Sequence, residues 1–310
     1  MTIVRLSAKD VVPDALRGAV AALGNFDGFH LGHQTVAGEA IAQARAAGKP
    51  AIIATFDPHP VRFFAPDSPW FRLTTLDQRQ RLFEAAGADA MLVFEFDASL
   101  ANTTAEDFIV ALLVERLGLS GVITGEDFTF GKGRGGNVDV LRDLGAAHGL
   151  RATTMGPVKD EGGVISSSRI RDALKADDCA TATRLLTRPF TVEGVVQHGD
   201  KNGRLLGFPT ANIDMAHYLR PRYGIYAVRG RLPDGRVLDG AANLGIRPSF
   251  NPPKELLEPH FFDFSEDLYG QTIEVEFHAF LRGEQKFDSM DALMDQMAKD
   301  CDEAREILAQ

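Results

Sequence analysis

Two kinds of segment alternate along the first half of the chain. Short apolar runs predict buried strands, and longer segments with apolar residues three and four positions apart predict amphipathic helices. The predicted strands are Ala19–Phe26, Ala51–Phe56, Ala90–Phe96, Gly121–Thr124 and Ala152–Met155. The predicted helices are Leu31–Ala47, Leu76–Ala86, Ala105–Leu117 and Val138–His148. This alternation predicts an α/β domain whose parallel, doubly wound sheet is covered by helices on both faces.

The pattern changes near residue 187. Thr187-Arg188-Pro189 interrupts the helical periodicity, and strands joined by tight turns follow, with a hairpin signal at Asp234-Gly235. The predicted strands are Phe190–His198, Ile225–Leu232, Arg236–Ala242, His260–Phe264 and Thr272–Phe280. We therefore expect a small β-barrel or sandwich, followed by the amphipathic terminal helix Met290–Leu308.

The length of 310 residues also suits two domains. We place the boundary within residues 183–189, which divides the chain into residues 1–183 and 184–310. Hydrophobic residues make up 45% of the chain, yet no apolar run reaches the length of a membrane helix or a signal peptide. A soluble cytoplasmic protein is expected, without a membrane partner.

The net charge of −10 argues against a nucleic-acid partner, which would need a basic face. It does not exclude a nucleotide, because a phosphate pocket needs only local positive potential. Cys179 and Cys301 stand apart from any C-x-x-C pair and suit a reducing compartment. Composition does not indicate an oligomeric state.

The segment after the first strand carries the strongest chemical signal. It turns on Gly24 and Gly28, which would let the backbone approach a ligand, and it enters the first helix. The helix N-terminus would offer N–H groups to phosphate, and His30 and His33 would stabilise charge there. The further candidate ATP-binding residues in this segment are Asn25, Phe26 and Asp27. The alternative is a pair of ordinary core or surface histidines, and a zinc site would need a third ligand.

A second strand ends in Thr55–Pro60, where two prolines would hold His59 at the same edge of the sheet. His59 is a candidate phosphate-binding residue. A plain strand-ending turn explains the segment equally well.

A third segment, Ile165–Arg171, places three hydroxyl groups before a helix. Ser167 and Ser168 would bind phosphate. Arg171 would be a catalytic residue that donates two hydrogen bonds to a phosphate group. The alternative is that the serines only cap the helix.

Together these segments resemble a known family. The H-x-G-H at residues 30–33 and the I-S-S-S-x-x-R at residues 165–171 are similar to nucleotidyltransferase signatures. With Thr55–Pro60 and Gly125–Gly131, they resemble the FMN adenylyltransferase module of prokaryotic bifunctional riboflavin kinase/FAD synthetases. The resemblance implies a nucleotidyltransferase-like sheet and adds Asp127 to the ATP-binding candidates. Ser168 stands where the family usually has threonine, which retains the hydroxyl.

A long polar, glycine-rich loop lies between strands of the second half. Lys201 would supply positive charge, and Thr210 and Asn212 would offer oxygen ligands to Mg²⁺ shared with ATP phosphates. The further candidate ATP-binding residues of this loop are Gly199, Gly207 and Pro209. The alternative is a β-hairpin loop without a ligand.

Glu258, before a predicted barrel strand, could act as the general base of a phosphoryl transfer. Spacing alone favours the alternative, an exposed glutamate before a strand with no catalytic role. The glycine-rich loop with P-T-A-N at residues 209–212 resembles the riboflavin kinase module. That resemblance implies that Thr210 and Asn212 hold Mg²⁺ and ATP and that Glu258 activates the riboflavin 5′-hydroxyl. Ser249 and Pro259 depart from the family pattern.

These observations predict a bifunctional enzyme. It would phosphorylate riboflavin with ATP to give FMN and then adenylylate FMN with a second ATP to give FAD and pyrophosphate. Riboflavin, FMN and ATP would be its small-molecule partners. Two alternatives remain: an adenylyltransferase whose barrel has lost kinase activity, and a flavin or nucleotide sensor that binds without turnover.

Overall fold

The computed structural model describes residues 3–198, 208–247 and 254–310. The chain forms two compact units. The first comprises Met1–Ser68 and Thr75–Ser166, and the second comprises Pro69–Thr74 and Ser167–Gln310. No helix in the described parts of the chain is long and apolar enough to cross a membrane.

The first unit is built on a six-stranded sheet in the order β1-β4-β3-β2-β5-β6, with every neighbouring pair parallel. Its strands are β1 (Val4–Ser7), β2 (Val20–Leu23), β3 (Ala51–Asp57), β4 (Ala90–Glu95), β5 (Gly121–Gly125) and β6 (Arg151–Met155). A small hairpin, β7 (Lys159–Asp160) and β8 (Gly163–Val164), follows. The predicted parallel sheet is confirmed. The edge strand β1 was not predicted, because it is short and mixes polar with apolar residues.

Helices cover both faces of this sheet. They are α1 (Leu31–Ala46), α2 (Pro60–Phe64), α3 (Leu76–Ala85), α4 (Ala98–Asn102), α5 (Ala105–Asp107) and α6 (Val138–Ala147). A π-helical segment, Phe108–Arg116, continues α5 where the sequence predicts one α-helix. Alternate residues of β2 enter opposite clusters: Ala21 and Leu23 pack with this π-helical segment, whereas Val20 and Ala22 pack with α1. The sheet is therefore buried on both sides.

The second unit begins with two helices, α7 (Ser167–Lys175) and α8 (Cys179–Leu186). Thr187 ends α8 in the left-handed conformation at φ 65°. A closed antiparallel barrel follows in the order β10-β13-β12-β11-β14-β9. Its strands are β9 (Phe190–Gln197), β10 (Asn212–Asp214), β11 (Gly224–Arg231), β12 (Val237–Arg247), β13 (Lys254–Phe261) and β14 (Thr272–Arg282). The predicted barrel is confirmed.

Two strand predictions in the barrel need correction. The strand predicted at His260–Phe264 begins earlier, at Lys254, and ends at Phe261. The strand predicted to end at Ala242 continues to Arg247, because polar and apolar residues alternate beyond that point. The terminal helix α9 (Met290–Leu308) covers part of the barrel, with Cys301, Ala304 and Leu308 in one buried cluster with barrel residues.

The segment Pro69–Thr74, here called the strap, folds with the second unit although it lies between α2 and α3 in sequence. The Arg72 carbonyl accepts a hydrogen bond of 2.8 Å from the backbone N–H of Leu219. The Trp70 ring stacks on His217 with centroids 4.1 Å apart. The strap is therefore a non-local part of the barrel unit.

Candidate functional sites

The strand order brings one set of loops together at the C-terminal ends of the parallel strands, here called the carboxyl edge of the sheet. β2 lies between β3 and β5, and the chain leaves β2 toward β3 on one side, while β5 continues the sheet on the other. Parallel sheets bind ligands at such a reversal, outside the carboxyl ends of the strands. The segments after β2, β3 and β5 therefore share this edge, as the sequence predicts for residues 24–30 and 55–60.

The loop from Gly24 to His30 has an uncommon backbone. Phe26 and Phe29 are in the left-handed region, with φ of 47° and 43°, and Gly28 has φ of 86°. Residues other than glycine rarely adopt this conformation. Packing holds it here, because the rings of Phe26 and Phe29 lie 5.9 and 5.0 Å from that of Phe83.

The two histidines lie at the first turn of α1. His30 is the N-cap, and its Nδ1 accepts a hydrogen bond of 3.3 Å from the backbone N–H of His33. The two imidazoles stack with centroids 3.6 Å apart. Gly32 lets this turn pack closely: a Cβ there would lie 3.2 Å from the His30 ring and 3.4 Å from the Ile165 carbonyl. The start of the predicted I-S-S-S motif therefore lies beside the H-x-G-H motif.

Two polar side chains of the same loop are withdrawn from solvent. Asp27 is 2% exposed and forms an ion pair of 3.6 Å with Arg79. Within the described residues, the buried Oδ1 of Asn25 has no hydrogen-bond partner. A buried acceptor without a hydrogen bond lowers the stability of the fold, and a bound ligand could supply the missing donor. Asn25 is therefore a candidate ligand contact.

Arg79 itself was missed by the sequence reasoning. Its guanidinium is 2% exposed and donates a 3.1 Å hydrogen bond to the Thr55 hydroxyl. One signal could have found it. Leu76, Arg79 and Phe83 occupy one helical stripe of α3, so a charged residue stands at a position that the periodicity assigns to the core.

His59 and Asp127 lie after β3 and β5 at the same edge. His59 is the N-cap of α2, where its Nδ1 accepts a 3.2 Å hydrogen bond from the backbone N–H of Val61. His59 therefore caps a helix, a role that the sequence did not predict, and its side chain is half-buried. Asp127 is exposed.

An exposed aromatic cluster, also missed from sequence, follows β3 and β4. The Phe63 and Phe64 rings of α2 lie 5.5 and 5.7 Å from that of Phe96. Phe64 is 69% exposed, which is unusual for so large an apolar side chain. A flat aromatic ligand could stack on this cluster.

The remaining predicted phosphate ligands belong to the second unit. Ser167 begins α7 and is half-buried, and Ser168 is exposed. Arg171 donates from Nε to the Phe71 carbonyl at 2.8 Å, and its guanidinium lies 5.0 Å from the centre of the Phe71 ring. The strap therefore holds Arg171 on α7.

The barrel places three polar residues in a row across neighbouring strands. Asn243 of β12 is directly opposite Glu258 of β13, and its Nδ2 donates a 3.3 Å hydrogen bond to Glu258 Oε2. Asn212 of β10 precedes the residue pair Ile213 and Leu257, so it faces Glu258 from the other side. Directly opposed residues of antiparallel strands share one face. Asn212 and Glu258 therefore lie on the same face of the barrel, although they are far apart in sequence.

The P-T-A-N segment is fastened to β13. The backbone N–H of Ala211 donates to the Pro259 carbonyl at 2.9 Å, and His260 Nδ1 lies 2.9 Å from the Pro209 carbonyl. Pro259 is accommodated within the ladder of β13, so Glu258 keeps its register. Thr210 is half-buried. The candidates Gly199, Lys201 and Gly207, and the family departure Ser249, lie outside the described residues.

The oxygen donors near Glu258 fit Mg²⁺. The described residues contain no group of three or more His, Cys, Asp or Glu that could hold a metal. Mg²⁺, however, commonly keeps several waters and substrate phosphates with only one or two protein oxygens. The Thr210 hydroxyl and the Asn212 amide oxygen are ligands of that kind, and Asn212 is only 7% exposed.

Comparison with known proteins assigns each half of the chain. A family model for FAD synthetase matches residues 12–169, and one for riboflavin kinase matches residues 186–308. The bifunctional riboflavin kinase/FMN adenylyltransferase of Haemophilus influenzae is 39% identical over 94% of this chain and 94% of its own length. The chain belongs to the bifunctional riboflavin kinase/FMN adenylyltransferase family. This membership confirms the predicted pair of activities.

Other relatives agree along nearly the whole chain. The proteins of the same description from Escherichia coli K12 and Bacillus subtilis are 38% and 36% identical, over 93% and 92% of this chain and 92% and 91% of their own. A crystal structure described as a macrolide-efflux protein from Streptococcus pneumoniae has a TM-score of 0.87 at 29% identity. The superposition covers 98% of this chain and 99% of the Streptococcus pneumoniae chain, so the two proteins share a fold.

Proposed function

We propose that residues 1–183 transfer AMP from ATP to FMN and that residues 184–310 phosphorylate riboflavin with ATP. One observation carries this division. His30 and His33 lie in the first unit and Glu258 lies in the second, and each of these places falls in the range matched by one family model. The composition and the two buried thiols support a cytoplasmic enzyme that acts on small molecules.

In the adenylyl transfer, a phosphate oxygen of FMN attacks the α-phosphorus of ATP. A new P–O bond forms, the bond to the bridging oxygen breaks, and pyrophosphate leaves. His30, His33 and the N–H groups at the start of α1 would donate to the phosphates as charge develops. Arg171 would balance the charge of the pyrophosphate. No covalent enzyme intermediate is required, so catalysis rests on positioning and electrostatics.

The remaining residues of this site would hold the two substrates. Gly24 and Gly28 would let the loop backbone approach ATP, and the buried Oδ1 of Asn25 would accept a hydrogen bond from it. The exposed rings of Phe63 and Phe64 would carry the isoalloxazine of FMN. The other proposed nucleotide contacts are Phe26, Asp27, His59, Asp127, Ser167 and Ser168.

In the kinase reaction, the 5′-oxygen of riboflavin attacks the γ-phosphorus of ATP, and the bond to ADP breaks. Glu258 would take the proton of the attacking hydroxyl. Asn243 fixes one oxygen of that carboxylate from the neighbouring strand. Thr210 and Asn212 would hold Mg²⁺, which when bound offsets negative charge on the ATP phosphates. Gly199, Lys201, Gly207 and Pro209 are proposed as further ATP contacts.

A time course with separated flavins tests both halves of the proposal. Purified full-length chain is incubated with riboflavin and MgATP, and the flavins are resolved by chromatography. FMN should appear first and FAD second. Glu258→Gln should leave riboflavin unconverted yet still turn added FMN into FAD, whereas His33→Gln should accumulate FMN.

Each variant is the folding control of the other, because each retains one activity. Loss of both activities in either variant would contradict two separate sites. FAD from added FMN without FMN from riboflavin, in the unmodified chain, would favour the barrel that has lost its kinase activity. Flavin binding without turnover would favour a sensor.

A further inference from the structure

Arg79 is a charged side chain in the interior of the first unit. It lies on α3, outside the loops assigned to the nucleotide, and its exposed fraction is 2%. Burying a guanidinium removes its hydration, which only an ion pair and several hydrogen bonds can replace. The partners of Arg79 therefore indicate its role.

Arg79 contacts four groups at the end of the sheet where the nucleotide site is proposed. Nη2 lies 3.6 Å from Asp27 Oδ1, and Nη1 donates to the Thr55 hydroxyl at 3.1 Å. Nη1 also lies 3.5 Å from the carbonyls of Asn25 and Phe56. The Thr55 hydroxyl in turn donates to the Asn25 carbonyl at 2.7 Å. One guanidinium thus joins the loop after β2 to the end of β3.

The loop that Arg79 contacts has an unfavourable backbone conformation, which contacts with the rest of the fold must stabilise. Phe26 and Phe29, on either side of Asp27, are both in the left-handed region. Residues in such conformations persist only where the surroundings fix them. Arg79 contacts this loop at Asn25 and Asp27, a few residues before His30, the N-cap of α1. Its charge also offsets that of Asp27 beside the place proposed for the ATP phosphates.

We propose that Arg79 is a positioning residue for adenylyl transfer. It does not touch the substrate; it holds the residue 24–30 loop so that His30 and the N–H groups of α1 face the phosphates. This inference rests on the adenylyl transfer proposed above for the first unit. A planar, five-donor guanidinium suits a role that joins four acceptors, whereas a lysine ammonium is a single point charge.

Substitutions in the full-length chain test the proposal, with the kinase reaction as an internal measure. Arg79→Met should lower kcat for FAD formation from FMN about 100-fold, the scale of a small misplacement of catalytic groups. The KM for FMN should change by no more than about twofold, because the loop does not carry the flavin. Arg79→Lys should recover only part of the loss. The matched control is Arg81→Met, on the exposed side of the same helix, which should match the unmodified chain.

A second variant separates positioning from folding. Arg79→Met leaves Asp27 buried beside an apolar side chain, so the first unit could unfold for that reason alone. The double variant Asp27→Asn with Arg79→Met removes the stranded charge. It should melt close to the unmodified chain, as followed by circular dichroism, and yet form FAD more slowly than Asp27→Asn alone, which measures any loss due to the aspartate itself.

Four results would overturn the inference. They are Arg79→Met as fast as Arg81→Met, a double variant that regains full adenylyl transfer, a loss seen in KM for FMN rather than in kcat, and a double variant that still fails to fold. If the unmodified chain forms no FAD, the proposed function itself is wrong, and the positioning role falls with it. An active parent with an unaffected Arg79→Met variant contradicts the positioning role alone.

Discussion

The Nδ1 atom of His30 accepts a hydrogen bond from the backbone N–H of His33, and the two imidazole rings lie stacked 3.6 Å apart. An imidazole nitrogen that accepts must be unprotonated. In the neutral ring the proton is therefore on Nε2, the nitrogen that can donate. The helix cap thus selects the tautomer that a phosphate-binding histidine needs.

Replacing either histidine should silence one activity and spare the other. We expect His30→Gln and His33→Gln each to lower kcat for FAD formation about 100- to 1,000-fold, the usual loss for one donor to a developing anion. Riboflavin phosphorylation, measured in the same preparation, should not change. His148→Gln is the control, because His148 is exposed at the end of α6. An equal loss of both activities would point to a general folding defect.

Two glycines of α1 should respond oppositely to alanine. A Cβ at Gly32 would lie 3.2 Å from the His30 ring and 3.4 Å from the Ile165 carbonyl, whereas nothing lies within 4 Å of one at Gly38. Gly32→Ala should therefore displace His30 and slow FAD formation about 10-fold or more. Gly38→Ala should keep full activity and stabilise the helix by up to about 1 kcal/mol. Steady-state rates and thermal melting of both variants check this, and equal activity would refute the close-packing argument.

Two aspartates of α9 should differ in their contribution to stability. Asp300 is 4% exposed and receives hydrogen bonds of 2.8 and 2.6 Å from Arg282 of β14. Asp300→Asn should leave the Arg282 charge poorly compensated and reduce the free energy of unfolding by about 3 kcal/mol. The exposed pair of Asp302 and Arg305 spans 3.4 Å, so Asp302→Asn should cost less than about 1 kcal/mol. Denaturant unfolding measures both, and similar losses would contradict the role of burial.

The two cysteines should be inert in the folded protein. Burial raises the pKa of the Cys179 thiol to about 12 and that of Cys301 to about 11, from an ordinary value of 9.0. Since the thiolate is the reactive form, neither should react with iodoacetamide at pH 8 until denaturant is added.

The same pKa values set a direction for stability. Below pH 9 both states keep the thiols protonated, so these groups contribute no pH dependence. Above pH 9 the unfolded chain loses protons that the folded chain retains until about pH 11 to 12, so stability should fall as pH rises through this window. Denaturant unfolding at pH 8 and pH 10.5 measures the change. A variant with alanine at both positions should fall less, and an equal fall would show that the thiols are not responsible.

Local patterns were sufficient for much of the first site. The apolar run that contains β2, the glycines after it and the periodicity of α1 together place His30 and His33 at a strand–helix junction at the sheet edge. Those signals lie within about one turn of the residues they concern. In the barrel, Asn212 and Glu258 were each singled out from sequence, but β10 was missed because it contains only three residues.

The missing parts depend on contacts between residues distant in sequence. Arg79 is meaningful only because β2 and β3 bring Asn25 and Thr55 to it, and no periodicity reports such partners. The left-handed Phe26 and Phe29 would be disfavoured by local preference, and tertiary packing on Phe83 overrides that preference. The pairing of Asn243 with Glu258 likewise follows from the strand register, which no local pattern in the sequence specifies.

The strap changes what the two halves of this chain can mean as separate proteins. Residues 69–74 are contributed by the sequence of the first half, but they fold with the second unit, where they stack on His217, pair with Leu219 and hold Arg171. A polypeptide that starts anywhere after residue 74 would lack this piece of its own surface. The chain therefore cannot be cut at one position into two segments that each contain one complete unit. Any autonomous kinase made from this sequence would need the strap supplied in trans, as a short peptide, to restore the unit seen here.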